Sequence, residues 1–178
     1  MIKKVLALLI FCLCAGECFA KKGINIFAYS RPAPQTAIYN SSGLQSKLQD
    51  FEGQFILVMF WSRYCAPCIR ELDDINDFVK ITRDNNIKVL LVSQAEEWTG
   101  VSEQRMLLKK YKAEDIDFYI DKKGALAGDF GVFSFPHTVL VDQYGEEIGR
   151  ISGSVDWDDE DVVEYIYKLK AKRVKTNE

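Results

Sequence analysis

Histidine occurs once in these 178 residues and cysteine only five times. Three of the cysteines, Cys12, Cys14 and Cys18, fall within the first twenty residues. Beyond them stand only Cys65, Cys68 and His137, one ligand short of a tetrahedral zinc site. Two cysteines also cannot form the disulfide framework that staples small exported domains. A cationic surplus is missing as well. With 23 Lys and Arg against 26 Asp and Glu, the net charge is −3, the wrong sign for a protein that binds nucleic acid by releasing phosphate counterions. No nucleic-acid partner is expected. After residue 20 no apolar run approaches the ~20 residues that a membrane-spanning helix needs. Internal repeats and a second domain are equally absent from the pattern, and a 48% hydrophobic chain of this length suits one globular core.

What is present begins at the amino terminus. Lys3 and Lys4 precede an apolar run from Val5 to Ala15, closed by Gly16, Glu17 and Cys18-Phe19-Ala20. This is the order of a secretory signal, and the run is too short to span a bilayer. The expectation is that residues 1–20 are a signal peptide, cleaved, or else retained as an anchor tethering the domain to a membrane. Removal would leave Cys65 and Cys68 as the only cysteines. Residues 21–34, polar and proline-bearing, read as a lead-in or tether. A single domain is expected over 35–172, and a charged tail over 173–178.

Within the domain the hydrophobic periods alternate. Ala37-Ile38-Tyr39 reads as a short edge strand, and Leu44, Leu48 and Phe51 as a helical turn ended by Gly53. The run from Phe55 to Trp61 is apolar without alternation, the signature of a central strand covered on both faces. Ile69, Leu72, Ile75 and Val79 then repeat at helical spacing to about Arg83, with Pro67 in the first turn. A second buried strand spans 87–92 and a second amphipathic helix 101–111. A short extended segment at 118–120, a short helix over 125–130 and a hairpin of strands over 138–141 and 147–151 follow. The last helix has Asp158-Asp159-Glu160-Asp161 at its start and Lys168, Lys170, Lys172 and Arg173 at its end, which suits the macrodipole. The fold class is therefore α/β.

The chemistry concentrates at Cys65-Ala66-Pro67-Cys68. Cys65 follows a central strand and opens a helix, where free backbone amides favour the thiolate. Cys68 lies one helical turn on, within bonding reach. That arrangement suits a nucleophile and a resolving partner in disulfide exchange. A purely structural disulfide is the poorer alternative, since so short a loop restrains little chain entropy. A copper-binding chaperone using Cys65, Cys68 and His137 is a further alternative, because two thiolates and an imidazole hold a soft metal.

The segment Phe60-Trp61-Ser62-Arg63-Tyr64-Cys65-Ala66-Pro67-Cys68 resembles the FWxxWCxPC signature of thioredoxin-like proteins. Glu71 and the stretch Ser134-Phe135-Pro136-His137-Thr138-Val139-Leu140-Val141-Asp142 resemble the CxPCxxE and GxPxTFLID elements of the TlpA/ResA/DsbE branch of extracytoplasmic thiol-disulfide oxidoreductases. The resemblance implies a thioredoxin fold, a central mixed β-sheet flanked by helices, with an N-terminal extension. It implies that Cys65 is the exposed nucleophile, Cys68 the buried resolving cysteine, and the two a redox-active disulfide. Glu71 would be the carboxylate near the resolving thiol, and Pro136 a cis-proline whose preceding residue, Phe135, pairs with a bound substrate strand. Trp61 would pack beneath the active-site turn and Tyr64 would add aromatic surface to it. No cofactor is implied beyond the cysteines. Implied partners are disulfide-bearing envelope proteins, apocytochrome c among them, with a membrane thiol transporter as electron donor.

The chain departs from that pattern in places. Met59 stands where thioredoxins carry a buried Asp, which makes Glu71 the better proton carrier. Tyr64 replaces a tryptophan, and Phe135 is bulkier than the usual residue before the proline. Ala66 and Pro67 offer the thiolate no side-chain donor, so the pair is expected nearer the reducing value of about −270 mV than the oxidising one of about −120 mV. A thiol peroxidase shares the fold but places Thr or Ser ahead of its reactive cysteine in a different local pattern. It stays open as the competing enzyme.

Overall fold

The computed structural model describes residues 23–174. The leader expected at residues 1–20 and most of the expected tail lie outside the described residues. The centre of the molecule is β4 (Phe55–Phe60), buried along its whole length. Alternate side chains of this strand feed two cores. Phe55, Leu57 and Met59 join one cluster, and Ile56, Val58 and Phe60 the other. A strand with apolar residues on both faces needs cover on both, which the helices supply.

Eight strands form one mixed sheet in the order β1-β8-β7-β4-β5-β6-β2-β3. Parallel to β4 runs β5 (Ile87–Gln94), with Phe55 opposite Ile87, and β6 (Phe118–Asp121) runs parallel to β5. On the other side of β4, β7 (His137–Val141) and β8 (Glu146–Ser152) form the expected antiparallel hairpin. Its turn is held by Asp142, whose Oδ1 accepts from the amides of Tyr144 and Glu146, while Gly145 takes the positive φ that the turn requires. β2 (Ile38–Asn40) and β3 (Gln45–Ser46) close the far edge, and the helical turn expected near Leu48 is a 3-10 turn over Leu48–Phe51.

The first cluster carries Leu72, Ile75 and Phe78 from α2 (Leu72–Thr82), Leu108 from α3 (Val101–Lys110) and Ile166 from α5 (Glu160–Val174). The second carries Leu126 and Phe130 from α4 (Ala125–Phe130). The helix expected to run unbroken to Arg83 is two helices. α1 (Ala66–Arg70) ends at Glu71, whose φ of −85° and ψ of −3° open the ladder for one residue before α2 begins.

One expectation is overturned. Residues 21–34, read as a lead-in, contain β1 (Ile24–Pro32), an edge strand paired antiparallel with β8. Ile24 and Ile26 pack against the first core, and the Arg31 guanidinium meets the buried Glu147 carboxylate at 2.7 Å. The strand is irregular between Ile26 and Arg31, and it approaches β8 closely at Gly149, where a Cβ would lie 2.7 Å from the Asn25 carbonyl oxygen. Only two apolar residues alternate here, and their partners lie more than a hundred residues away. Local pattern therefore carried little sign of the pairing. The domain starts earlier than residue 35. Among the described residues no helix is long and apolar enough to cross a membrane.

Candidate active site

β4 delivers Trp61 to the end of the sheet, and residues 62–64 turn the chain into α1. The Ser62 carbonyl accepts from the Cys65 amide at 3.1 Å and its hydroxyl from the Tyr64 amide at 3.1 Å, closing a tight turn. The turn is also tied down from outside. The Arg63 amide donates to Glu97 Oε2 at 2.9 Å, and its guanidinium donates to the Glu97 carbonyl at 3.1 Å and to Glu103 Oε1 at 2.5 Å. That guanidinium lies over the Trp98 ring, 4.9 Å from its centre, and Trp98 in turn packs 5.6 Å from buried Trp61. Two hydrogen bonds from Thr99, together with Arg63, hold the Glu103 carboxyl down at about 2.

Cys65 is the N-cap of α1, half-buried, and its sulfur accepts from the Cys68 amide at 3.2 Å. Pro67 occupies the first turn of the helix, where a missing amide costs nothing. Cys68 is buried at 2% exposure, and the two cysteines are joined in a disulfide. Cys65 is thus partly exposed and Cys68 is not. The peptide bond between Phe135 and Pro136 is cis. Pro136 and Cys68 line one cavity of about 10 Å³, shared with Trp61, Glu71, Thr138 and Trp157. That is close to the least space a single water molecule needs.

Glu71 is the one carboxylate of that cavity, and only 4% exposed. Its Oε2 accepts from the Val155 amide at 3.1 Å and from the Trp157 indole at 3.0 Å. Burial pushes its carboxyl up to about 7, against the two hydrogen bonds, with Asp74 and Asp156 adding to the rise. Met59 lies in the same wall and brings no polar group.

The expected site residues Cys65, Cys68, Glu71, Trp61 and Pro136 therefore meet at one end of the sheet. Phe135 is half-buried against both cores, and Tyr64 is 79% exposed at the rim. His137 does not join them. It shares the β7 face of Val139 and Val141 in the second core, whereas Thr138, its neighbour, points to the Cys68 cavity. The imidazole Nδ1 sits 3.3 Å from Ser152 Oγ, and burial together with the Arg150 charge pushes its pKa down. The copper set of Cys65, Cys68 and His137 is not assembled, because strand alternation turns the imidazole to the other side of the sheet. Among the described residues no cluster of three His, Cys, Asp or Glu could hold a metal ion. Trp157 was not singled out from the sequence. A lone aromatic among Asp156, Asp158 and Asp159 was the signal available for it.

A profile of the AhpC/TSA family matches residues 29–146. The chain belongs to that family. The thiol-disulfide oxidoreductase ResA of Bacillus thuringiensis subsp. konkukian is 26% identical over 141 residues, covering 78% of this chain and 77% of the relative. The thioredoxin-like protein YneN of Bacillus subtilis is 30% identical over 154 residues, covering 82% and 87%. The thioredoxin domain of a thiol-disulfide oxidoreductase from Bacteroides vulgatus superposes with a TM-score of 0.64 over 81% of this chain and 99% of that one, at 21% identity. The fold is the thioredoxin fold. With that fold, that family and a disulfide between Cys65 and Cys68, the chain is a thiol-disulfide oxidoreductase similar to ResA.

Proposed function

We propose that the protein is exported and reduces or exchanges disulfides in other envelope proteins, with Cys65 attacking and Cys68 resolving. The observation that carries this reading is the contrast between the two cysteines. Cys65 is half-buried at the start of a helix with an amide aimed at it, and Cys68 is buried beside Glu71. The Cys65 thiolate attacks one sulfur of the client disulfide, and the other client sulfur leaves with the bond's electron pair. Cys68 then attacks Cys65, its proton passing to the Glu71 carboxylate. The Cys65–Cys68 disulfide forms, the second client sulfur departs as thiolate, and solvent protons complete both client thiols. Two electrons have moved from the pair to the client.

Phe135 and cis-Pro136 would offer backbone and ring to an extended client segment, with Trp61 beneath the turn and Tyr64 at its rim. The resemblance to ResA-type proteins supports apocytochrome c as the first client to examine and a membrane thiol transporter as the source of electrons. The thiol peroxidase reading is separated by assay, since it alone expects peroxide consumption by the reduced protein. The deciding experiment is expression of Cys68→Ser in the native envelope. Mixed disulfides with envelope proteins through Cys65 are expected, and their absence would refute the reading.

A further inference from the structure

Trp157 lies far from the cysteine motif in sequence and is 2% exposed, yet its indole is spent on a single carboxylate oxygen. The Val155 amide binds that same oxygen, Oε2 of Glu71. Among the described residues Oε1 of Glu71 is buried with no hydrogen-bond partner, and Glu71 and Cys68 line the same small cavity. Two donors on one oxygen, with the other left bare, is an asymmetric arrangement for a buried carboxylate. It fixes the side chain while keeping a basic lone pair free. The donors come from the segment joining β8 to α5, and the carboxylate from the break between α1 and α2. The contact therefore ties the resolving end of the site to the last helix. Phe78 packs against the indole, edge-on at 5.6 Å.

We propose that Trp157 is a positioning residue for the exchange reaction, fixing Oε2 of Glu71 so that Oε1 is the oxygen that serves the Cys68 thiol. This rests on the reading above, in which Glu71 takes the Cys68 proton. The charged groups acting on Glu71 are Asp74 from α2 and Asp156 from the loop before α5, both of which disfavour its ionised form. Asp158 acts in turn on Asp74. Against them stand the two N–H donors, from Val155 and Trp157. Removing the indole N–H while keeping an aromatic ring leaves the carboxylate less supported, so Glu71 must hold its proton to higher pH.

The test uses the full-length protein, titrated in the disulfide form and assayed for insulin reduction in the reduced form. In the wild type the Trp157 indole proton signal should titrate with a midpoint near 7, the value at which Glu71 changes charge, and in Glu71→Gln it should stay flat from pH 5 to 9. In Trp157→Phe the Glu71 carboxyl carbon signal should titrate about one pH unit higher, the size expected for losing one hydrogen bond to a charged group. The inflection in the rate of insulin disulfide reduction should move with it. A merely structural role would leave that midpoint in place. An unmoved midpoint in Trp157→Phe, together with a changed profile in Glu71→Gln, overturns the part given to Trp157 and spares that of Glu71. A Glu71→Gln profile identical to wild type removes Glu71 from the exchange, and the inference with it. Should Trp157→Phe fail to fold, the indole titration decides alone, and an indole signal indifferent to pH overturns the proposal.

Discussion

The backbone amide of Cys68 points at the sulfur of Cys65 across 3.2 Å. Once the disulfide is reduced, the proposed resolving residue would thus support the charge on the proposed attacking one, since this amide is one of the free donors at the start of α1. Losing either cysteine should have different consequences. Cys65→Ser should abolish insulin reduction, and Cys68→Ser should stop after one attack with a mixed disulfide on Cys65. Loss of turnover in both, with a covalent adduct in only the second, is the result to look for by non-reducing electrophoresis.

Glu71 should make stability fall as pH rises. Its carboxyl lies at about 7 in the folded protein against an ordinary 4.5, so the folded state binds the proton more tightly than the unfolded chain does. The folded state is favoured by this group below pH 4.5, and the advantage is lost between pH 4.5 and 7. Converted at 1.36 kcal/mol per pH unit, the ionised group costs ~3 kcal/mol above pH 7. Denaturant midpoints should show Glu71→Gln more stable than wild type at pH 8 and no more stable at pH 4, while its rate of disulfide exchange is lower.

The Arg63–Glu103 pair works in the opposite sense. Glu103 is held down at about 2, so what it contributes is present above pH 4.5 and lost as pH falls toward 2. The pair is partly exposed, so its effect is local rather than global. Arg63→Ala should raise amide hydrogen exchange over residues 62–65 about fivefold, the equivalent of one weak ion pair. The melting temperature should barely move.

Gly149 lets β1 reach β8. An alanine there would place its Cβ 2.7 Å from the Asn25 carbonyl oxygen, and backbone cannot yield as a flexible side chain can. Gly149→Ala should cost about 1–3 kcal/mol. Amide protection should be lost first at residues 24–32, and insulin reduction should survive, since β1 lies three strands from β4.

The sequence made the central elements plain for a physical reason. β4 is an unbroken apolar run, β5 is apolar from Val89 to Val92, and α2 and α3 repeat at helical spacing, so their own residues dictate their form. The cysteine pair was legible because strand, turn, proline and helix sit within one short segment. β1 was not, since its two isoleucines stabilise nothing until β8 is in place beside them. The break at Glu71 was hidden by an apolar period that runs on through it. Trp157 and Glu103 were hidden because their partners, Glu71 and Arg63, lie 86 and 40 residues away. His137 carried the opposite lesson. As the one imidazole beyond the cysteine pair it entered the copper alternative, and strand alternation turns it away.

The most direct test of the division of labour between the cysteines is to treat reduced protein at neutral pH with less than one equivalent of iodoacetamide and map the modified residue by peptide mass spectrometry. Between Cys65 and Cys68, alkylation confined to Cys65 is the predicted result. Modification of Cys68 first, or of both cysteines equally, would contradict the account.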